Sequence, residues 1–437
     1  MALLTWQDFP TDEDKIPDFI SQMIAEHEQN EAVEMARTAN LYDHQKNKTV
    51  NEYVQKIYSS TGVSVRNYVA SNNKIASNFF RRLNTQRCAY SLGNGVTFAS
   101  DKDTDGKVKQ DGGTKAKLGK TFDTELYRAG YLALIHGVSF VFFNFDHIHV
   151  FPLTEFVPLW DENDGTLRAG LRYWRIDGTK PTIAVLYTED GYRRFKSKSG
   201  YARFEKDGDL RAYKQTISKA PADAEPEVIA EENYSRLPIV PLWGSRLHQS
   251  TLVGLQQSID SYDLIRSGFA NDLQDCAQIY WILENYGGMD DKDLQKFRDQ
   301  ILLQHIAVAD TRDGGGIKPY TQDVPYAART AYLQTIRINS AYQPLDENAD
   351  DFENQLESCI RSILGLIGID DVPVFKRNRI SNQLEQVQML MLEAPYLDRQ
   401  TILENLPNIY IDKVPEIMAR LDEETEGRFA REEEADE

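Results

Sequence analysis

An α+β fold is predicted by three periodic features of the sequence. Proline is absent from Thr251 to Asn285, where apolar residues recur at steps of three, four and seven. Between Val138 and Thr188 the spacing changes to short aromatic and β-branched runs separated by Asp-Gly pairs. From Asp346 onward helical spacing returns. A block of short strands with turn signals reads as an antiparallel meander, and the flanking stretches read as helices.

The run at Thr251–Asn285 is the longest element. Leu252, Leu255, Ile259, Tyr262, Phe269, Leu273, Cys276 and Tyr280 form a heptad-like seam that Arg266 alone interrupts. One helix of about 30 residues, roughly 45 Å long, is the economical reading. That exceeds the usual globular helix of about 11–12 residues. Its opposite face carries Gln256, Gln257, Asp260, Asp263, Asn271, Asp272 and Gln274, which makes it a poor membrane span. Such a helix needs long partners, from this chain or from copies of it; an ordinary core helix of a monomer is the alternative.

The chain of 437 residues is long enough for a large core, and its 41% hydrophobic and 11% aromatic content describes a folded protein. The start, MALLTWQDFPTDEDK, lacks a basic region followed by an apolar core, so no signal peptide is expected. No apolar run approaches about 18 residues, so no transmembrane helix is expected. Three separated cysteines, Cys88, Cys276 and Cys359, fit a reducing compartment and give no disulfide framework. A formal charge of −19 argues against tight coating of nucleic acid, which needs surplus Lys and Arg. The last stretch, from Asp422, holds nine acidic residues against two arginines.

Taken in order, residues 11–40 read as an amphipathic helical arm, and Leu41–Asn51 as a polar turn. Ile75, Phe79, Leu83, Gln86 and Tyr90 share one helical face, ended by Leu92-Gly93-Asn94-Gly95 before a strand at Val96–Phe98. Asp101, Asp103, Asp105 and Gly106 mimic the opening of a calcium loop, but Gly112 stands where the closing Glu should be, so a solvated loop is expected. A helix over Leu118–Ile135 precedes strands at Val138–Phe145, His147–Phe151, Phe156–Leu159, Arg168–Ile176 and Thr182–Thr188. His147 and His149 alternate on one strand without a third ligand nearby, so no metal is assigned. Residues 197–236 are loop-rich, and Leu237–Trp243 is an extended approach to the long helix. Helix is expected again over Tyr326–Tyr342, ended or kinked by Pro344, and over Asp346–Leu366 with Phe352, Leu356, Cys359, Ile360, Ile363 and Leu366 on its face.

The order of these elements resembles the portal proteins of tailed phages, most closely the siphophage type, over roughly residues 50–420. The segments that carry the resemblance are Asn72-Asn73-Lys74-Ile75, Leu92–Phe98, the proline-containing Leu237–Leu242, the Asp-Ser-Tyr-Asp run within Ile259–Asp272, Ile380-Ser381-Asn382 and Leu397–Leu403 followed by Leu406-Pro407. The resemblance implies a portal-type subunit with long stem helices, a strand-rich wing, a small α/β clip and a helical C-terminal crown region. The implied parts are an N-terminal helical arm (1–50), a wing (51–245), a first stem helix (246–285), a clip (286–325), a second stem helix (326–343), a tunnel-proximal and wing helix (344–379), a crown (380–425) and an acidic tail (426–437). One departure from the family is the short segment Asn339–Leu345, where relatives carry a longer tunnel loop.

The same resemblance implies a homododecameric ring at one capsid vertex, synthesised in the host cytoplasm and retained in the virion. The ring would pass double-stranded DNA and meet the terminase large subunit, the major capsid protein, a scaffolding protein, head-completion adaptors and tail proteins. Arg337, Asn339, Ser340 and Gln343 are the candidate channel residues, and Arg312 and Lys318 the candidate clip contacts. Leu252, Leu255, Ile259, Tyr262, Phe269 and Leu273 are expected to pack the stem. No cofactor or catalytic residue is implied: the chain has no phosphate-loop, nucleophile-elbow or H-E-x-x-H signature. The alternatives are a coiled-coil-type scaffold without a DNA channel and, more remotely, a metal-dependent hydrolase using His147 and His149.

Overall fold

The computed structural model describes residues 4–58, 64–66, 70–98, 113–198, 200–217, 228–276, 280–283, 292, 295, 317–320, 342–377, 402–403 and 417–420. The chain divides into two units, Met1–Lys376 and Arg377–Glu437. In the second, the described residues include helical pieces at 402–403 and 417–420. The loop at 101–112 lies outside the described residues.

Helices and antiparallel strands are both abundant, as the α+β reading predicts. Helices α1 (Ile16–Glu28) and α2 (Glu31–Asp43) are followed by α3 (Phe79–Leu92) and α4 (Phe122–His136). Strands β1 (Val138–Asn144) and β2 (His147–Pro152) form a hairpin. A meander follows: β3 (Phe156–Trp160), β4 (Leu167–Trp174), β5 (Thr182–Thr188) and β6 (Gly191–Ser197), edged by the two-residue β7 (Glu205–Lys206). Strand β8 (Ile239–Trp243) then joins β1, giving a three-stranded sheet in the order β8-β1-β2. Two long helices complete the unit, α5 (Gln256–Cys276) and α6 (Tyr342–Leu366).

The two sheets are stacked, and the alternation of their residues decides what each face meets. Val157, Leu159, Ala169, Leu171, Tyr173, Ala184 and Phe195 face Phe19, Ile20, Met23 and Ile24 of α1. Phe156, Val185 and Tyr187 look the other way, onto Phe140, Phe142, Phe151 and Ile239 of the smaller sheet. Gly170 is needed here, because a Cβ would stand 2.0 Å from the Phe156 ring. The far face of the smaller sheet carries Val141, Phe143, Ile148 and Val150, covered by α4, α3 and α6. On α6, Phe352, Leu356, Cys359, Ile360 and Ile363 are all buried, as their spacing predicts.

Several boundaries differ from the sequence reading. The long helix does not run from Thr251 to Asn285 but from Gln256 to Cys276, and Tyr280–Leu283 is a strand paired antiparallel with Ile317–Tyr320. Residues 251–255 form turns because Ser250 and Thr251 bond outward to other elements. Tyr280-Trp281-Ile282-Leu283 is a four-residue apolar run rich in strand formers, and periodicity alone does not separate such a run from helix. Ile75 belongs to an extended segment, with α3 starting only at Phe79. Pro344 lies within α6, near its first described residue, and the helix expected over Tyr326–Tyr342 lies, up to residue 341, outside the described residues. The expected helix over Leu118–Ile135 starts later, at Phe122, and the polar turn after residue 40 is helical to Asp43.

Two buried histidines tie neighbouring elements together, one joining α1 to the larger sheet and the other joining α4 to α2. His27 Nδ1 lies 3.0 Å from the Tyr173 hydroxyl, which donates to Glu28 Oε1 at 2.6 Å. His136 Nε2 lies 2.9 Å from Asn40 Oδ1. Burial pulls both imidazoles down to about 4 from 6.5. The unfolded chain therefore binds protons that the folded chain refuses, so stability is full above about 6.5 and falls as the pH drops from there toward about 4. Urea unfolding at a series of pH values should show this decline, and His136→Gln should make it shallower.

Candidate functional site

The root of α5 is gripped from two sides, and each grip follows from unsatisfied backbone or side-chain groups. The first is the C-terminus of α4, whose last carbonyls have no helical partner. Thr251 donates its N–H to Leu134 O at 3.0 Å, its hydroxyl bonds Asn84 Oδ1 at 2.9 Å, and the Ser250 hydroxyl donates to Ile135 O. Gly137 ends α4 at a φ of +89°, and a Cβ there would come within 2.9 Å of the Gln249 backbone. That close approach brings β8 and the start of α5 against α4, with Gly244 N–H on Gly137 O at 3.0 Å.

The second grip is a polar seam along α5 itself. Asp260, Asp263, Ser267, Asn271 and Gln274 follow steps of three and four and so share one stripe. Each is an acceptor for the N-terminal part of the chain. Tyr42 and Thr49 hydroxyls donate to Asp260 at 2.5 and 2.9 Å. Asn47 Nδ2 and the Ser77 N–H donate to Asp263 at 2.6 and 2.9 Å. The Ile75 N–H reaches Ser267 Oγ at 3.0 Å, the Asn73 N–H reaches Asn271 Oδ1 at 2.5 Å, and Asn73 Nδ2 reaches Gln274 Oε1 at 2.7 Å. Residues 73, 75 and 77 alternate along an extended segment, so their N–H groups point the same way, and α5 supplies side chains where a neighbouring strand would supply carbonyls.

Asp263 is fully buried at the centre of this seam. Burial pushes its carboxyl above the usual range, while the Ser77 backbone and side chain pull it back. The Tyr42 phenol, pushed up to about 12 by burial and by Asp260, remains a donor at any physiological pH. Below the seam a small apolar cluster of Ala39, Tyr42, Phe80, Ile135, Leu252 and Ile259 seats the helix, with Leu255 against it.

Of the residues expected to pack the helix, Leu252 and Ile259 are therefore buried within this subunit. Tyr262 packs on the Phe79 ring at 4.9 Å, Phe269 is half-buried, and Leu273 is 39% exposed. On the polar face, Asp260, Asp263, Asn271 and Gln274 meet the chain's own N-terminal segment. Sequence reasoning had both partners in hand, Asn72–Ile75 and the Asp-Ser-Tyr-Asp run, without the signal that they meet. The alternation of Asn73, Ile75 and Ser77 against acceptors at helical spacing is that signal.

Lys318 lies in the strand Ile317–Tyr320, paired with Ile282, and Gln343 lies in the first turn of α6. Arg312, Arg337, Asn339 and Ser340 lie outside the described residues. His147 and His149 stand with their Nε2 atoms 3.1 Å apart, and Asp146 bonds His147 Nδ1 at 2.6 Å. Among the described residues no three His, Cys, Asp or Glu side chains could hold a metal ion. Burial raises the thiols of Cys88 and Cys359 to about 12, so neither is a nucleophile. Among the described residues no helix is long and apolar enough to cross a membrane.

Replacing Asp263 by Ala strands the Ser77 N–H and the Asn47 amide in a dry site. The expected cost is about 2–3 kcal/mol, because each unpaired buried donor costs on the order of 1–3 kcal/mol. Chemical denaturation measures it, and hydrogen exchange at Ile75 and Ser77 should accelerate before exchange in the sheets does.

Comparison with known proteins gives a family match. The model described as "Phage portal protein, SPP1 Gp6-like" matches residues 21–340. The portal protein of Bacillus phage SPP1 is 21% identical over 421 residues, covering 84% of this chain and 79% of that one. The portal protein of Clostridium phage phiCD119 is 25% identical over 221 residues, covering 43% of this chain and 49% of that one. The chain thus spans about half the length of the second relative.

Proposed function

The chain belongs to the phage portal protein family, and on that premise we propose that it forms a closed ring of twelve subunits at one capsid vertex. The family is structural rather than enzymatic. In this reading the ring is a channel for genome packaging and ejection and a docking site for the terminase large subunit and for head-completion and tail proteins. The major capsid protein and a scaffolding protein meet it in the capsid shell.

The observation that carries the reading is the division of labour on α5. Its polar stripe is occupied inside the subunit, while its apolar side keeps surface: Leu273 is 39% exposed and Phe269 half-buried. A helix anchored by hydrogen bonds to its own chain and apolar on its remaining face suits packing against a copy of itself in a ring. The antiparallel pairing of Tyr280–Leu283 with Ile317–Tyr320 supports a clip, since it brings together the two ends of segment 284–316 beyond the helix. Stacked sheets with flanking helices fit the wing, and α6 fits the helix that returns to it. The formal charge of −19 suits a passage through which DNA slides, because dense phosphate neutralisation would hold it. A helical scaffold without a channel has no use for the two sheets.

Twelve copies of a 50.0 kDa chain give a particle of about 600 kDa. Mass photometry with negative-stain microscopy should find that mass and a central hole; filaments or an open-ended series of masses would count against a ring. The channel assignment of Arg337, Asn339, Ser340 and Gln343 has its own test. Gln343→Asp should leave the ring mass unchanged and reduce DNA packaging in an in vitro packaging reaction, and normal packaging would remove Gln343 from the channel.

A further inference from the structure

The two stacked sheets press together at one end and part at the other. At the closed end the Phe140 and Phe156 rings lie 4.3 Å apart. Beyond it a cleft of about 460 Å³ opens, floored by Phe142 and Phe151 of the smaller sheet and by Arg172, Val185, Tyr187 and Arg194 of the larger one.

The register of the larger sheet makes Arg172 unusual. Phe156, Arg172, Val185 and Arg194 are direct neighbours across β3, β4, β5 and β6, all on the face turned to the other sheet. Phe156 and Val185 are buried there. A guanidinium in such a row loses hydration and is tolerated only when something repays the loss. Part of the answer is local: the Arg172 guanidinium lies 4.5 Å from the centre of the Phe151 ring and 4.7 Å from that of Trp174. Its nearest carboxylate contact, Nη2 to Glu155 Oε2 at 3.6 Å, is beyond hydrogen-bond range, and Nε has no partner among the described residues. Across the row, Arg194 is held by Asp207 at 3.1 Å. Arg211, exposed at the rim, is fixed through its backbone by two bonds to Tyr192 at 2.8 and 2.9 Å. Asp209 also lines the rim, so the cleft has room for one small anion rather than a polyanion.

We propose that this cleft binds an oxyanion carried on a flat apolar body. Arg172 grips the anion with a fork whose plane the two rings hold, Arg211 adds charge at the rim, and Phe142 with Tyr187 walls the flat part. A carboxylate and a phosphate present the same geometry to the fork. The proposed ring contact rests on α5, which carries none of the residues lining the cleft, so the site does not rest on the portal reading.

Isothermal titration of the full chain with benzoate, adenosine 5′-monophosphate and inorganic phosphate tests the assignment. At least one ringed anion should bind with a Kd of about 1 mM or tighter, and inorganic phosphate roughly fivefold more weakly. Benzoate alone binding identifies a carboxylate ligand and the nucleotide alone a phosphate ligand; either supports the site. Arg172→Lys keeps the charge but loses the fork, and should weaken binding roughly tenfold at an unchanged unfolding temperature. If that variant fails to fold, Arg211→Ala decides: weaker binding supports the site and unchanged binding overturns it. No binding of any of the three, phosphate binding as tightly as the ringed anions, or wild-type affinity in a folded Arg172→Lys would each overturn the proposal.

Discussion

The buried carboxylate of Asp263 and the donors that reach it hold the rest of the molecule in place. An acid in a dry site is unfavourable unless its oxygens are occupied, and here the Ser77 N–H and the Asn47 amide occupy them. Once that pair is made, the flanking bonds at Asp260, Ser267, Asn271 and Gln274 follow from geometry: the extended segment and the helix stripe are already aligned. The seam is directional as well as strong. Each of these bonds runs from a donor in residues 42–77 to an acceptor on α5, so a one-residue slip would misplace all of them together.

This seam explains how a long helix is held in a unit whose main core lies elsewhere. The two sheets and their covering helices bury the aromatic mass. Only a small cluster seats α5 by apolar contact. Hydrogen bonds then extend the anchorage along the helix and leave Leu273 on its other side exposed.

The backbone is arranged to serve the same junction. Gly137 lets α4 stop and reverse into β1, and lets the segment before α5 come within contact of the helix end. The carbonyls left open there are met by Ser250 and Thr251, which costs α5 its first expected turn. Tertiary bonds outcompeted helical propensity at residues 251–255, and cross-strand pairing did so at Tyr280–Leu283. Both ends of the helix fall short of the apolar pattern for the same reason: the spacing continues, but the backbone finds better partners outside the helix.

Local pattern alone determined the α+β class, the meander with Thr182–Thr188 to the residue, the end of α3 at Leu92 and the buried face of α6. These depend on interactions within a few residues, where periodicity and turn chemistry carry the information. Tertiary structure decided which face of α5 is turned inward. Hydrophobicity named the seam of Leu252 to Leu273, yet beyond Ile259 the stripe held inside the subunit is the polar one, because its acceptors match donors some two hundred positions earlier in the chain. The same holds for Arg172, which reads as one more alternating strand residue until the register sets it between Phe156 and Val185. Burial of a polar group is a property of the pair, and the sequence writes the two partners far apart.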